Sequence, residues 1–517
     1  MKKTGTPMKK LLKLLTGRLF ISVILIAVQL VVMVVGINYL TSFKNVATVF
    51  YALSFLIAAL ILFRDENPAY KIAWLLPVLV FPVYGGIFYV MFGNKKKYAW
   101  RSRKLQKLSK RYKEALTEGP QQDTVVHQAL ETMNPLFVRQ SDYIFQTSGF
   151  PVWKNTQVNY FPSGEKFFDS LLDELKKAER FIFLEFFIVN MGEVWDTVFT
   201  VLADKAASGV DVRFMYDDVG SIMTLPSGFD RTLRSAGIKV VAFNPFAVHL
   251  NARFNYRDHR KICVIDGNIG YTGGLNLADE YVNRSIRYGH WKDTGVLIKG
   301  DAVWNLTLMF LQLWLFSTGE DMSFSRYRPT AAYATDGFVQ PFGDAPIDQH
   351  NVGENVYMQI INTAKRYVWI TTPYLILDNE MLTSLRIAAE SGIDVRIITP
   401  HYADKPYVHP VTQSYYHSLL ESGVRIYEYI PGFIHSKMFV CDDELAVVGT
   451  TNMDYRSFFL HFECGIIFFG SSIAADVKKD IEDTLEISEE ITLEKLARVP
   501  LIKRIIQGGL KFFAPLM

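Results

Sequence analysis

His259, Lys261 and Asp266 stand in the run HRKICVID, and His435, Lys437 and Asp442 stand in HSKMFVCD. In both runs one residue separates the histidine from the lysine and four separate the lysine from the aspartate. Each run leads into a glycine turn that ends in asparagine: GGLN at Gly273 to Asn276, and GTTN at Gly449 to Asn452. A histidine supplies a nucleophile or an acid, a lysine a fixed cation, and an asparagine a donor. One such spacing means little. Two copies with matching flanks predict one active site built from two halves.

The repeat extends to a carboxylate in each half. KDTGVLI carries Asp293 and FECGIIF carries Glu463, both two residues before a glycine and an apolar strand. A histidine that works as nucleophile or acid needs a partner to fix its tautomer and stabilise the imidazolium, and an acidic side chain does this best. The expectation is that Asp293 orients His259 and Glu463 orients His435. Asp266 and Asp442 each follow an apolar strand and precede a turn, so a structural role is at least as good a reading for them as direct catalysis. A metal site is disfavoured, because each lysine is a fixed cation inside its motif and no close His or Cys pair is left to complete a ligand set. His401, His409 and His417 read as residues of a substrate-facing or surface loop, not as metal ligands. No cofactor is expected.

These side chains need a scaffold. FIFLEFFIV at Phe181 to Val189 and YVWITTPYLI at Tyr367 to Ile376 are β-branched and aromatic runs typical of buried strands. SGVDVRFMYDD at Ser208 matches SGIDVRIITPH at Ser391, and AGIKVVAFNP at Ala236 matches SGVRIYEYIP at Ser422. Each is a glycine closing a helix and then a strand. Strands alternating with helical stretches predict an α/β protein with largely parallel sheets and helices outside, made by internal duplication. Phe458, Phe459, Phe462 and Phe468 read as buried core before they read as an acyl-chain channel.

The chain has 517 residues, 50% hydrophobic and 14% aromatic, and the apolar excess lies at the amino end. Leu19 to Leu40 and Val46 to Phe63 are uncharged and read as a transmembrane hairpin. Ile72 to Phe92 is broken by Pro77, Pro82, Gly85 and Gly86, and reads as membrane-embedded. Lys2, Lys3, Lys9, Lys10, Lys13 and Arg18 precede the first run; Lys95, Lys96, Lys97, Arg101, Arg103 and Lys104 follow the third. Both flanks call for the cytoplasmic side, which three full crossings do not allow. No cleavable signal peptide is expected. Lys95 to Lys113 reads equally as a basic interfacial helix or a solvated linker. The tail from Leu493 to Met517, with Lys495, Arg498, Lys503, Arg504 and Lys511, reads as a membrane contact or a docked helix. A net charge of +3 does not mark a nucleic-acid binder, and Cys263, Cys441 and Cys464 are too scattered for a disulfide framework, which implies a reducing compartment.

At these residues the chain resembles the phospholipase D superfamily, and within it the bacterial cardiolipin synthases. AWLLPVLVFPVYGGIFYVMFG, DHRKICVIDGNIGYTGGLN with DEY, and HSKMFVCDDELAVVGTTNMDYRSF carry the likeness over nearly the whole chain. It departs from the family in a longer apolar amino end and in His461, where an asparagine commonly precedes the glutamate. The resemblance implies two duplicated phospholipase D-like mixed-sheet α/β domains with flanking helices, after an N-terminal helical membrane region. The expected division is 1–93 membrane region, 94–149 basic juxtamembrane linker, 150–325 first domain and 335–517 second domain with the tail.

The implied activity is phosphatidyl transfer between two phosphatidylglycerol molecules through a phosphatidyl-histidine, at the cytoplasmic side of a bacterial cell membrane, with anionic lipid as partner. Lys261, Lys437, Asn276 and Asn452 would hold the phosphate oxygens. Analogy favours His259 as nucleophile; the residues themselves leave the two histidines equivalent. The motif also fits a membrane-anchored phospholipase D-type hydrolase or a nuclease, in which water resolves the intermediate. Oligomeric state is left open.

Overall fold

The computed structural model describes residues 18–42, 44–93, 107–108, 111–112, 114–116, 124–246 and 255–516. The basic clusters at Lys2 to Lys13 and Lys95 to Lys104 lie outside them, as does most of the Lys95 to Lys113 segment. One compact unit holds the amino-terminal helices within residues 1–100; the other holds 101–243 and 256–515, so both repeats share it.

In the first unit the apolar runs are helices, Arg18–Thr41 and Lys44–Leu62. The third run is broken. Asn67 caps Pro68–Val80 by accepting from the Ala69 N–H at 2.9 Å, and the chain turns at Phe81 into a second short helix, Pro82–Phe88. The break sits where Pro82 bars the preceding residue from helical geometry. Among the described residues no helix is long and apolar enough to cross a membrane.

In the second unit each repeat forms its own mixed sheet. The first runs, in spatial order, Thr156–Phe161, Gly295–Gly300, Ile269–Gly273, Ile262–Ile265, Phe181–Phe186, Asp211–Asp217 and Lys239–Phe243. Only the last three strands pair in parallel. The expectation of largely parallel sheets is therefore corrected, and the turns explain why. Asp266, Gly267 and Asn268 alone join Ile262–Ile265 to Ile269–Gly273, and so short a connection permits only an antiparallel pair. The second repeat does the same with Met438–Cys441 and Leu445–Gly449. Its sheet runs Phe338–Asp344, His461–Phe469, Leu445–Gly449, Met438–Cys441, Tyr367–Thr371, Asp394–Pro400, Arg425–Tyr429 and Ser488–Ile491.

Between the sheets lies the helix Val303–Thr318, apolar on nearly every side because it is buried on nearly every side. Phe310 stacks on Phe183 of the first sheet with ring centres 4.6 Å apart, and Asn305 Nδ2 donates to the Pro341 carbonyl of the second sheet at 2.8 Å. Its counterpart Ile473–Glu486 buries Ile473, Ala474, Val477 and Ile481 in the same core. Within the segment read as a linker, the later residues pack against the second repeat. Thr124–Met133 and Pro135–Ser148 are helices, and Gln340 Nε2 of the second sheet donates to Ser141 O at 3.1 Å and Phe150 O at 2.9 Å. The buried face of Pro135–Ser148, with Phe137, Val138 and Ile144, gives this segment a packing role that its polar average conceals. Phe458, Phe462 and Phe468 are buried core residues and Phe459 is half-buried.

Candidate active site

The short strands that lead into the two motifs pair between repeats. Arg257–Asp258, just before His259, pairs in parallel with His461 and Phe462, just before Glu463. Gly432–Ile434, just before His435, pairs in parallel with His290–Lys292, just before Asp293. The pairing continues one residue further on each side: the His259 N–H donates to Phe462 O at 2.9 Å, and the His435 N–H to Lys292 O at 2.7 Å. Register then sets each histidine opposite the other repeat's carboxylate.

The side chains follow. His259 Nδ1 is 3.0 Å from both oxygens of Glu463, and His435 Nδ1 is 2.6 Å from Asp293 Oδ2. This reverses the expected pairing of Asp293 with His259 and Glu463 with His435. Reading each repeat as a closed set missed that its two short strands pair outside the repeat. Thr450 Oγ1 donates to Glu463 Oε2 at 2.5 Å, and the Thr294 N–H donates to Asp293 Oδ1 at 2.9 Å, so each carboxylate is fixed from a second side. All four groups are buried.

Burial depresses the histidines first, and the neighbouring ammonium groups add to it. His435 is held down to about 4, by burial and then Lys437. His259 is held well below its ordinary value by burial, then by Lys261, Lys437 and His435. That the second repeat's Lys437 and His435 act on His259 places both motifs around one space. Burial also brings Lys261 down to about 8 and Lys437 to about 7. For Asp293 burial acts upward, but the opposing charges of His435 and Lys437 outweigh it and keep the group a carboxylate. Both histidines are thus neutral at neutral pH, and the Nδ1–H of each donates to an acid.

Each lysine folds back on its motif: Lys261 Nζ donates to His259 O at 2.5 Å, and Lys437 Nζ donates to His435 O. An ammonium with two further protons is left to meet an anion. The asparagines are partly spoken for. Asn276 Oδ1 accepts from the Ile188 N–H at 2.9 Å and its Nδ2 donates to the Tyr281 hydroxyl at 2.7 Å, while Asn452 Nδ2 donates to Asp454 Oδ2 at 3.1 Å. One N–H of each amide stays available for a phosphate oxygen.

Asp266 and Asp442 each bind a run of backbone N–H groups. Asp266 accepts from the N–H groups of Glu179, Arg180 and Phe181 at 2.7 to 2.9 Å. Asp442 accepts from those of Lys365, Arg366 and Tyr367 at 2.7 to 3.0 Å. Both have φ of 54°, the left-handed region that Asp tolerates better than most residues. Each ties the end of its catalytic hairpin to the start of the neighbouring strand.

Several site residues escaped the sequence reading. Phe187 lies edge-on to His259 with ring centres 4.9 Å apart, and Tyr281, Trp291 and Phe433 surround His435 at 5.6, 5.3 and 5.9 Å. Asp217, buried, accepts from the Asp258 N–H at 2.9 Å and pairs with Arg257 at 3.2 Å, fixing the strand that carries His259. The acidic pair closing MYDD was its only signal. Arg260 Nε donates to the buried Glu185 at 2.7 Å; in the second repeat Ser436 and Thr371 share a hydroxyl hydrogen bond at 2.9 Å instead.

His461, noted in the sequence only as a departure from the family, lies against the site. Its Nε2 accepts from Arg456 Nε at 3.3 Å, and its Nδ1 lies 3.5 Å from Glu463 Oε1, an electrostatic contact longer than a good hydrogen bond. His259, His461 and Glu463 hold possible ligand atoms within 4.8 Å of one another, the close histidine pair that the sequence reading did not find. Lys261 and Arg456 oppose a cation there. His401 instead meets Glu428 at 2.9 Å and His417 meets Glu421 at 3.2 Å.

Comparison with known proteins gives the family. Residues 171–306 and 357–485 match the family model described as "Cardiolipin synthase, PLD-like domain", and 52–94 match "Phospholipase D-nuclease N-terminal". An uncharacterized protein of Streptococcus mutans serotype c is 41% identical over 86% of this chain and 96% of its own length. A cardiolipin synthase of Geobacillus kaustophilus is 38% identical over 89% of this chain and 91% of its own. The crystal structure of a phosphatidylserine synthase from Haemophilus influenzae covers 73% of this chain and 97% of its own at a TM-score of 0.55 and 14% identity, a likeness of fold.

Proposed function

Because the chain belongs to the cardiolipin synthase family of phospholipase D-like enzymes, we propose that its site moves a phosphatidyl group between two phosphatidylglycerol molecules, giving cardiolipin and glycerol. The observation that supports this most is the exchange of carboxylates, which sets two complete His–carboxylate pairs beside two lysines. A phosphodiester resists attack because its oxygens are anionic and its leaving alcohol is poor. Lys261 and Lys437 neutralise the oxygens, with help from the free N–H of Asn276 and Asn452. One imidazole attacks phosphorus, its Nδ1–H held by a carboxylate as positive charge builds, and forms a P–N bond as the P–O bond to glycerol breaks. The other, protonated at Nε2 once the anionic phosphodiester is bound beside it, gives that proton to the departing oxygen and keeps its Nδ1–H on its carboxylate. It then takes a proton from a hydroxyl of the second phosphatidylglycerol, whose oxygen displaces the histidine.

Phosphatidylglycerol vesicles test this directly. The purified protein should release glycerol and accumulate cardiolipin, and lose both on His259→Ala or His435→Ala. Accumulation of phosphatidic acid without cardiolipin would assign a hydrolase.

The amino-terminal helices are proposed to sit in a bacterial cell membrane with the catalytic unit on the cytoplasmic side. Leu19 to Leu40 carries no charge, and Val31, Val32 and Val35 turn outward from their helix. Alkaline phosphatase fused after Gly93 should stay inactive; an active fusion would place that end outside.

A further inference from the structure

The terminal helix Leu501–Phe513 is mounted the wrong way round for a soluble protein. At about 3.6 residues per turn, Leu501, Ile502, Ile505 and Ile506 share one side and Gln507 and Lys511 the other. A surface helix ordinarily turns its apolar stripe inward. Here the polar side docks. Gln507 is buried, its Nε2 donating to Gln413 Oε1 at 3.4 Å, and Lys511 Nζ stands 3.9 Å from the centre of the Tyr415 ring, both on helix Val408–Glu421. The apolar side faces out, with Leu501 72% and Ile505 61% exposed, and a Cβ added at Gly509 would meet nothing within 4 Å.

Two further observations say what covers this face. Cations border it: Lys503 and Arg504 are exposed on the helix and Arg498 just before it, a charge pattern complementary to anionic headgroups. The helix on which the terminal helix docks leads from the rim of the active site. Helix Val408–Glu421 follows the segment from Tyr402 to Tyr407. In that segment the Asp404 carbonyl accepts from the Tyr288 hydroxyl at 3.3 Å, Tyr288 packs on the Phe433 ring beside His435 with centres 6.1 Å apart, the Lys405 charge reaches His259, and Tyr402 and Tyr407 are half exposed. Lys503 in turn acts on His409, at the start of that helix.

We propose that the outward face of the terminal helix, with Tyr402 and Tyr407, lies in the interface of a bilayer carrying anionic lipid and brings the rim of the active site to lipid level. Its purpose rests on the reading of phospholipid as substrate; its geometry does not. Tyrosine suits such a rim because its ring is apolar and its hydroxyl prefers water. An apolar face of four large aliphatic side chains displaces headgroup water, while Lys503 and Arg504 hold phosphates at its edge.

The test uses the full chain reconstituted in vesicles. Ile505→Cys, labelled with an environment-sensitive fluorophore, is specific because Cys263, Cys441 and Cys464 are buried. Shallow doxyl-labelled lipid should quench the label at least twofold in phosphatidylglycerol vesicles, and less in phosphatidylcholine vesicles at high salt. Absence of quenching overturns the proposal, and label protection that scales with protein concentration would assign the face to a second copy instead. This readout needs no turnover, so it stands or falls separately from the transferase reading. Ile502→Glu with Ile505→Glu should lower activity on vesicles at least tenfold and leave activity on monomeric short-chain phosphatidylglycerol within twofold. Unchanged vesicle activity, or equal loss on both substrates, overturns it.

Discussion

Asp293 of the first repeat holds His435 of the second at 2.6 Å, and Glu463 returns the relation to His259 at 3.0 Å. The two motif histidines of this protein therefore exchange carboxylate partners between repeats. Neither motif histidine takes its acid from its own repeat.

This exchange predicts a pattern of coupling. Asp293→Asn and Glu463→Gln should each lower kcat by about 10²- to 10⁴-fold, the range for losing a group that orients a catalytic imidazole. In a His435→Ala background, Asp293→Asn should add less than twofold, because its partner is already gone, whereas Glu463→Gln should retain most of its effect. Residual turnover of the double variants by a sensitive lipid assay reads this out. The opposite ranking would restore pairing within each repeat.

The exchange also forbids an active half. Chains ending at Ala331 or beginning at Asp336 should each be inactive on phosphatidylglycerol vesicles, and co-expression of the two should recover cardiolipin formation. Activity from either fragment alone would contradict the geometry.

Asp266 and Asp442 should act on stability instead. Each carboxylate accepts three backbone N–H groups. Losing charged hydrogen bonds of this kind costs about 2 to 4 kcal/mol for the set. Asp442→Ala should lower Tm markedly, while kcat per folded molecule stays within a few-fold of the parent. Asn at either position keeps the left-handed turn and should recover part of the loss. A kcat loss comparable to that of His435→Ala would return these residues to the chemistry.

The sequence carried the site further than the fold. Histidine, lysine, asparagine and carboxylate were all legible, because the repeat aligned them twice and chemistry limits which residue types serve. Who pairs with whom was not legible, since Arg257–Asp258 and His290–Lys292 are too short to show a strand period. Sheet direction was missed for a related reason. Apolar strands look alike whether parallel or antiparallel, and only the three-residue turn at Asp266 distinguishes them. The helices at Thr124–Met133 and Pro135–Ser148 were hidden by a polar composition whose buried stripe shows only against Gln340 and its strand.

The lysines set the pH dependence. Burial brings Lys437 to about 7 and Lys261 to about 8, so the free site loses positive charge as pH rises through that range. An anionic phosphodiester binds the charged form better, which raises the lysine pKa in the complex and couples binding to proton uptake. Affinity is then fully present below about 7 and falls above it, by up to about tenfold per unit for one proton. The expected profile of kcat/KM in mixed micelles declines from about pH 7 upward. Lys437→Arg, which cannot deprotonate, should lower kcat and push that decline to higher pH. A limb that stays in place would show that another group controls it.

His461 closes the chain from Arg456 to Glu463. Arg456 Nε donates to its Nε2 at 3.3 Å, which fixes the remaining proton on Nδ1, 3.5 Å from Glu463 Oε1. Burial keeps this imidazole neutral, down to about 3, so it offers Glu463 a dipole instead of a second charge. The expected effect is to steady Glu463 toward His259. His461→Phe keeps the volume and the ring contact but removes both nitrogens, leaving the Arg456 side chain without its acceptor. It should lower kcat by about tenfold with KM little changed. His461→Asn restores a donor to Glu463 and should recover most of that loss. The check is steady-state kinetics of both variants beside their Tm values. If the two fall equally in kcat, or if kcat tracks Tm alone, His461 serves packing and not Glu463.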